Sequence, residues 1–185
     1  DWAVIVNTAS GTGTVRIDLD QHLDNIQDAS TNPLTSGRTG DESYTIDRAN
    51  PLIQSINRAN AAATLTNDDK IDFVITFNED VEGLDSSNFT VNGSGAQSTA
   101  IIDNVSGSGQ QWNVRVNTVE AEGDISISLN QNLSAVNDAA GNPVLTGRVG
   151  DESYTIDRVA PSVESITRLT PAQSLTNAAE VTFAV

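Results

Sequence analysis

The chain has 185 residues, with 25 acidic side chains against 9 Lys and Arg, a net charge of −16, no cysteine and a single histidine. That charge excludes nucleic acid as a default partner, because phosphate binding needs a basic footprint, and it disfavours an anionic membrane surface. Without cysteine there are no disulfides, Fe–S clusters or thiol chemistry, and His22 alone is too little for a zinc site. No apolar run approaches the roughly 20 residues of a membrane helix, so no membrane insertion is expected, and the first residues do not read as a signal peptide.

Read in chain order, the sequence repeats itself. Sliding it by 110 residues aligns Trp2 with Trp112 and runs without a gap to Ile75 and Val185, with 34 of 74 positions identical. The run Gly40-Asp41-Glu42-Ser43-Tyr44-Thr45-Ile46-Asp47-Arg48 recurs unchanged at 150–158, and Pro51 and Pro161 follow each copy. Proline disfavours helix and stiffens a junction. The chain therefore divides into 1–48, the C-terminal part of one unit; 49–158, a complete unit; and 159–185, the first strands of another. Both ends fall inside apolar segments that alternate with a period of two, so a window on a longer periodic protein is the expected organisation. A competing organisation is a filament subunit, in which 161–185 of one chain completes 1–48 of the next, although the middle strands would be missing.

Within the complete unit, period-two alternation bounded by Gly, Asn, Asp and Ser predicts strands at 52–58, 70–77, 88–92, 98–105, 111–118, 124–129 and 153–158. Trp112, Val114 and Val116 share one face, as do Ile125, Ile127 and Leu129. Trp2 lies in phase with Val4 and Val6 in the same way, which places both tryptophans in the core. No segment shows sustained helical periodicity. Seven short strands in about 110 residues predict an all-β fold of tandem immunoglobulin-like β-sandwiches.

Three stretches carry a family resemblance: Val74-Ile75-Thr76-Phe77-Asn78-Glu79-Asp80-Val81 with Gly83, Asp85 and Phe89; Asp138-Ala139-Ala140-Gly141-Asn142-Pro143; and Tyr154-Thr155-Ile156-Asp157 leading to Ala160-Pro161. They resemble the bacterial Ig-like repeats of large cell-surface and adhesin-type proteins. The resemblance implies an exported protein at the bacterial cell surface, with units strung as stalks, arms or filaments and often rigidified by calcium. The preceding copy reads Asp28-Ala29-Ser30-Thr31-Asn32-Pro33, so the loop glycine is not needed in every copy.

Catalysis finds no support. His22 becomes Asn132 in the next copy, and no Gly-x-Ser-x-Gly elbow occurs. Lys70, the only lysine, becomes Glu180, so no repeated isopeptide crosslink can form. Calcium is the sharper hypothesis, because it takes six to eight oxygen ligands and acidic β-loops supply them. Immunoglobulin topology gathers Glu79, Asp80, Asp85, Asp138, Asn142 and the incoming Asp47 at one end of the sandwich. At the other end it gathers Asp68, Asp69, Glu120, Glu122 and the outgoing Asp157. The repeat sorts these, since Asp68, Asp69, Glu120 and Glu122 are replaced in the other copy, whereas Asp138, Asp151, Glu152 and Asp157 match Asp28, Asp41, Glu42 and Asp47. The favoured ligands are Asp47, Glu79, Asp80 and Asp138, with Asp157 repeating the role at the next junction. The plainer alternatives are that Asp138 caps a turn, Asp47 pairs with an arginine, and Glu79 with Asp80 forms a solvated face.

The reading reached from the residues is a structural, non-enzymatic segment whose partners are neighbouring repeats of the same chain and, in the filament arrangement, further copies of itself. The alternative is an adhesin module recognising glycan or protein, for which a solvent-exposed tryptophan would be the sign. An accessory domain of a large enzyme is the third reading.

Overall fold

A computed structural model describes residues 2–20, 25–130 and 132–185; His22 lies outside them. The described residues form twelve strands and no α-helix. In chain order the strands are β1 (Gly13–Val15), β2 (Tyr44–Ile46), β3 (Ile53–Arg58), β4 (Leu65–Thr66), β5 (Lys70–Val81), β6 (Phe89–Gly93), β7 (Ile101–Asn117), β8 (Gly123–Leu129), β9 (Arg148–Val149), β10 (Tyr154–Ile156), β11 (Thr167–Thr170) and β12 (Thr182–Ala184).

The central unit packs one sheet, β3-β5-β7, against another, β4-β10-β8-β6, with β9 added to β8. All pairs are antiparallel except β4 with β10. β7 folds back on itself. Asn117 Nδ2 donates to Asp103 Oδ1 at 3.0 Å across 14 residues, which a straight strand would separate by about 45 Å. Gly107 and Gly109, at φ +142° and +66°, make that turn possible. The predicted strands at 98–105 and 111–118 are thus the two limbs of one folded ribbon, although the first limb starts later because 95–99 form a 3₁₀ turn. β6 likewise begins at Phe89, since Asp85 and Asn88 close a capping box around the preceding turn. The short strands β4 and β9 were not predicted; two residues carry no periodicity to read.

Alternation along β5 points Ile71, Phe73, Ile75 and Phe77 inward, where they meet Val114 and Val116 and, from the facing sheet, Ile125, Ile127, Leu129 and Ile156. The two sheets are joined at Tyr154. Its ring stands edge-on to Phe73, with centroids 5.3 Å apart at 83°, and its hydroxyl donates to the Asp72 carbonyl at 2.9 Å. Gln97, fully buried, ties the turn before β7 to the loop after it by donating to the carbonyls of Val119 and Ala121 and accepting from Val119 N.

The recurring Asp-Glu pair explains how the outer edge of β3 is closed. Asp151 Oδ2 accepts from Ile56 N and Glu152 Oε2 from Arg58 N, each at 2.8 Å, while Asp151 N donates to the Ile56 carbonyl. The Arg58 guanidinium reaches Glu152 at 3.3 Å and lies 5.9 Å from the Tyr154 ring centre. Open strand edges invite foreign pairing, and here two carboxylates occupy the donors.

The outer segments repeat pieces of this pattern. β1 pairs β2 with Gly13, Thr14 and Val15 opposite Ile46, Thr45 and Tyr44, which is the register of Gly123, Asp124 and Ile125 against β10. β11 pairs β12 with Thr167 and Arg168 opposite Ala184 and Phe183, the register of Asn57 and Arg58 against β5. Their apolar side chains nevertheless face solvent. Trp112 is buried where it pairs with Ile75 of β5, whereas Trp2 is fully exposed and has no strand beside it, so the expectation of two core tryptophans holds for one only.

Removing the cross-sheet bond through Tyr154→Phe should lower the unfolding free energy by about 1 kcal/mol. Phe73→Ala should lower it by about 3–5 kcal/mol, because the cavity opens between both sheets. Urea unfolding of the chain measures both. Equal losses from the two variants would show that the hydroxyl, not ring packing, joins the sheets.

Candidate functional site

Among the described residues, one group of carboxylates comes close enough to share an ion: Asp47, Glu79 and Asp138, with one oxygen of each within 4.8 Å of the others. Three separate stretches deliver them. Asp47 follows β2 at the start of the linker, Glu79 sits on the distal part of β5, and Asp138 opens the loop after β8. A bridge between Glu82 and Asn137 clamps the end of β5 to that loop, with Glu82 N donating to the Asn137 carbonyl at 2.9 Å.

The Asp138 loop is built by its own carboxylate. Oδ1 accepts from Ala140 N and Asn142 N, and Oδ2 from Asn142 Nδ2, all at 2.8 Å. Gly141 turns the loop at φ +89°. In the preceding copy Asp28 accepts the equivalent bonds from Ser30 and Asn32, and Thr31 is forced to φ +67° at the glycine position. Positive φ is strained for a β-branched residue. The turn-capping alternative for Asp138 is therefore correct as far as it goes.

The linker is fastened to the same loop. Asn142 Nδ2 also donates to the Asp47 carbonyl at 3.2 Å, Asn50 Nδ2 donates to the Pro143 carbonyl at 2.8 Å, and Leu52 N donates to Asn78 Oδ1 at 2.6 Å. Asp47 caps its own turn by accepting from Ala49 N. Among the described residues no arginine pairs with its carboxylate, the plainer alternative for Asp47; Arg48 bonds the carbonyls of Ala9 and Gly11.

Electrostatics sets the three acids apart. Burial pushes the Asp138 carboxyl up, but hydrogen bonds from the Asn142 side chain and from the backbone N–H groups of Asn142, Ala140 and Gly141 outweigh it and hold it below the usual range. Glu79 is pushed above its usual range, first by burial and then by the neighbouring charges of Asp138 and Asp47, with the Asn78 amide opposing. Within the cluster Asp138 is thus held in its charged form by its own loop, while Glu79 ionises against its surroundings.

Two predicted members lie elsewhere. Asp80 follows Glu79 on the strand, so it points to the opposite face and lies against Gly109. Asp157 is exposed at the other end of the unit, where its backbone N–H donates to the Thr66 carbonyl and its side chain accepts from Val159 N. It belongs to no group of three or more metal-ligating side chains among the described residues. At that end Arg158 pairs with Asp69 at 2.7 Å, bonds the Asp68 carbonyl at 2.9 Å and bonds Thr118 Oγ1 at 2.7 Å. The sequence analysis missed the contribution of Asn50 and Asn78. Asn50 is replaced by Ala160 at the next linker, so the repeat filter argued against it.

Because a Cβ at Gly141 would meet nothing within 4 Å, Gly141→Ala should cost about 1 kcal/mol through backbone strain alone, and Thr31→Gly should relieve a similar strain in its own loop. Glu79→Gln should raise the melting temperature by roughly 1–3 °C at neutral pH without metal. The sign follows from linkage. A carboxyl raised on folding destabilises once ionised, so the gain is full above its raised pKa and fades as pH falls below the ordinary glutamate range. Thermal unfolding across pH 3–7 reads it, and a gain that grew on acidification would place Glu79 among favourable neighbours instead.

No protein-family model matches the chain, and no curated protein does. Among solved structures it is similar to one described as the "Crystal structure of the S-layer protein SbsC domains 4 and 5", with 20% identity over 82% of this chain and 78% of that one and a TM-score of 0.27.

Proposed function

We propose that this chain is a structural repeat segment of a long extracellular bacterial surface protein, a stalk, adhesin arm or filament built of immunoglobulin-like β-sandwiches of about 110 residues. Its units are 1–48, 49–158 and 159–185, they carry no catalysis, and calcium at the Asp47–Glu79–Asp138 junction rigidifies the connection. The observation that carries the reading is the fastening of the linker. Asn142 of the unit 49–158 donates to the Asp47 carbonyl of the unit before it, and Asn50, at the head of 49–158, donates to the Pro143 carbonyl of the same loop, so the join is held by side-chain bonds and is not a free tether. Recurrence of the β8–β10 and β3–β5 registers in the outer segments supports the repeat. The alternation of β3-β5-β7 facing β4-β10-β8-β6 supports the immunoglobulin-like assignment.

Calcium suits the donor set. Hard carboxylate oxygens favour calcium over softer metals, and three acids with waters and carbonyls can reach its coordination number. A cation there would relieve the repulsion that Glu79 suffers when ionised. The acid count elsewhere would serve solubility and mutual repulsion of long chains. The alternative adhesin reading has one observation in its favour, the full exposure of Trp2. Its counterpart Trp112 is a core residue, so Trp2 is better explained as an uncovered core side chain than as a sugar platform.

Thermal unfolding of the chain in EDTA and in millimolar calcium tests the metal. Calcium at a hundredfold over its dissociation constant should add about 2.7 kcal/mol, a rise of roughly 10 °C for a unit of this size. Glu79→Gln should reverse sign, more stable than the parent in EDTA and less stable in calcium. No calcium shift leaves a plain β-sandwich spacer.

A further inference from the structure

We propose that the unit 49–158 is built to bear tension along the chain, with residues 56–69 and 150–158 forming a clamp that is loaded in shear when the two linkers are pulled apart. The proposal rests on the stalk reading for the source of that tension, and on the fold of the unit for the rest.

The first observation is direction. The bonds that join the two segments climb in step along both. Ile56 N donates to the Asp151 carboxylate at 2.8 Å, and Asp151 N returns a bond to the Ile56 carbonyl at 2.9 Å. Arg58 is held by Glu152 through its N–H and its guanidinium, and its Nη1 donates to the Ser153 carbonyl at 2.9 Å. Past the crossover to the second sheet, Thr155 N donates to the Thr64 carbonyl at 2.7 Å and Asp157 N to that of Thr66 at 2.9 Å, where β4 and β10 pair in parallel. Arg158 closes the series on the Asp68 carbonyl and the Asp69 carboxylate. The two segments therefore run the same way throughout, across both sheets.

Direction decides how this ladder meets a load. The chain enters the unit before Ile56, at one end of the ladder, and leaves it after Arg158, at the other. Tension on the two linkers slides the segments past each other along their length, so the bonds are strained together and have to yield together. An antiparallel pair pulled at adjacent ends opens one bond after another, each carrying the load alone. The remaining strand pairs of the unit are antiparallel, and none of them joins the entering segment to the leaving one.

The second observation is what the repeat keeps. Residues 150–158 are the run that recurs unchanged at 40–48, and on the facing segment Ile56, Arg58, Leu65 and Thr66 recur as Ile166, Arg168, Leu175 and Thr176. A core alone needs only Tyr154 and Ile156 of that run, its two buried members. The polar members are kept as well, and Asp151, Glu152 and Arg158 each hold the entering segment by their side chains. Asp69, replaced by Ala179, is the one side chain of the clamp that is not kept. Ion pairs away from the clamp fare differently. The Asp72–Arg115 pair, which spans β5 and β7, is replaced by Thr182 and Ile5, and Lys70 by Glu180.

Constant-force pulling of single full chains tests the clamp in two directions. Handles at the chain termini load the unit from linker to linker. The chain has no cysteine, so Ser86→Cys with Asn130→Cys defines a second pair of handles, at adjacent ends of the antiparallel pair β6–β8. The parent should survive a given force longer from linker to linker than across β6–β8. Asp151→Ala with Glu152→Ala should shorten the linker-to-linker lifetime by about tenfold to a hundredfold, because forced unfolding follows the unfolding rate and both bonds have charged acceptors. The same double variant should leave the lifetime across β6–β8 near the parent's. Glu152→Gln, which keeps the shape of the side chain, should shorten the linker-to-linker lifetime less and in that direction only, and it carries the test if the double variant does not fold.

A parent that lasts no longer along the linkers, or variants that shorten both lifetimes alike, would overturn the clamp and leave the stalk reading standing. The length of the step separates the two failures. Unfolding of 49–158 releases roughly 110 residues, or about 35–40 nm at full extension. A chain that lengthens without a step of that size would overturn the unit itself, and the stalk reading with it.

Discussion

Everything in the central unit depends on β5 having a neighbour on each side and a sheet in front of it. Its inward row of Ile71, Phe73, Ile75 and Phe77 is fully or almost fully buried, and its backbone pairs β3 and β7 at once. The comparison that proves the point is internal to the chain. Trp112, Val114 and Val116 form a strand and vanish into the core beside β5, while the matching Trp2, Val4 and Val6, separated by Ala3 and Ile5 in place of Asn113 and Arg115, form no strand and face solvent. Strand propensity is therefore not a property these residues hold by themselves. A pleated surface has to be offered, and the hydrogen bonds and burial it supplies are what convert an extended segment into a strand.

The distribution of charge follows from the same architecture. With 25 acids and 9 Lys and Arg, most carboxylates cannot have a cationic partner. The molecule places several where backbone N–H groups would otherwise lie open: Asp138 inside its loop, Asp85 at the turn before β6, Asp151 and Glu152 along the edge of β3. Asp138 and Asp85 are stabilised in this way by N–H donors without an arginine, which suits a chain so poor in bases, whereas Asp151 and Glu152 are also paired with Arg148 and Arg58. Glu79 stands apart because its nearest charged neighbours are acids, and its carboxyl is raised where those of Asp138, Asp85 and Asp151 are lowered.

Much of this was legible before any coordinates. The strand faces of β3, β5, β8 and the second limb of β7 follow from period-two alternation, and the gathering of Asp47, Glu79 and Asp138 follows from asking which loops share an end of the sandwich. What could not be read was finer than a strand. Whether Glu79 or Asp80 faced the junction depended on the phase of the distal part of β5, where the register against β7 shifts between Thr76 and Val81. The carboxylate clasp on β3 was hidden because Asp151 and Glu152 are nearly 100 residues from Ile56 and Arg58, so the repeat marked them as kept without showing what they hold. Trp2 was misplaced because alternation reports which face a side chain belongs to, and says nothing of whether that face is covered.

That distinction between a face and its cover is also what links the fold to its proposed work. A sandwich unit becomes a stalk only if the connection between successive units resists bending, and linker stiffness here arises from bonds between the linker and the next unit's loop. The Asn142 side-chain amide donates twice, once to the Asp138 carboxylate and once to the Asp47 carbonyl, so the loop after β8 also grips the segment that follows β2. Each unit then has a role in positioning its neighbour, as in other linear repeat arrays whose stability resides in nearest-neighbour contacts.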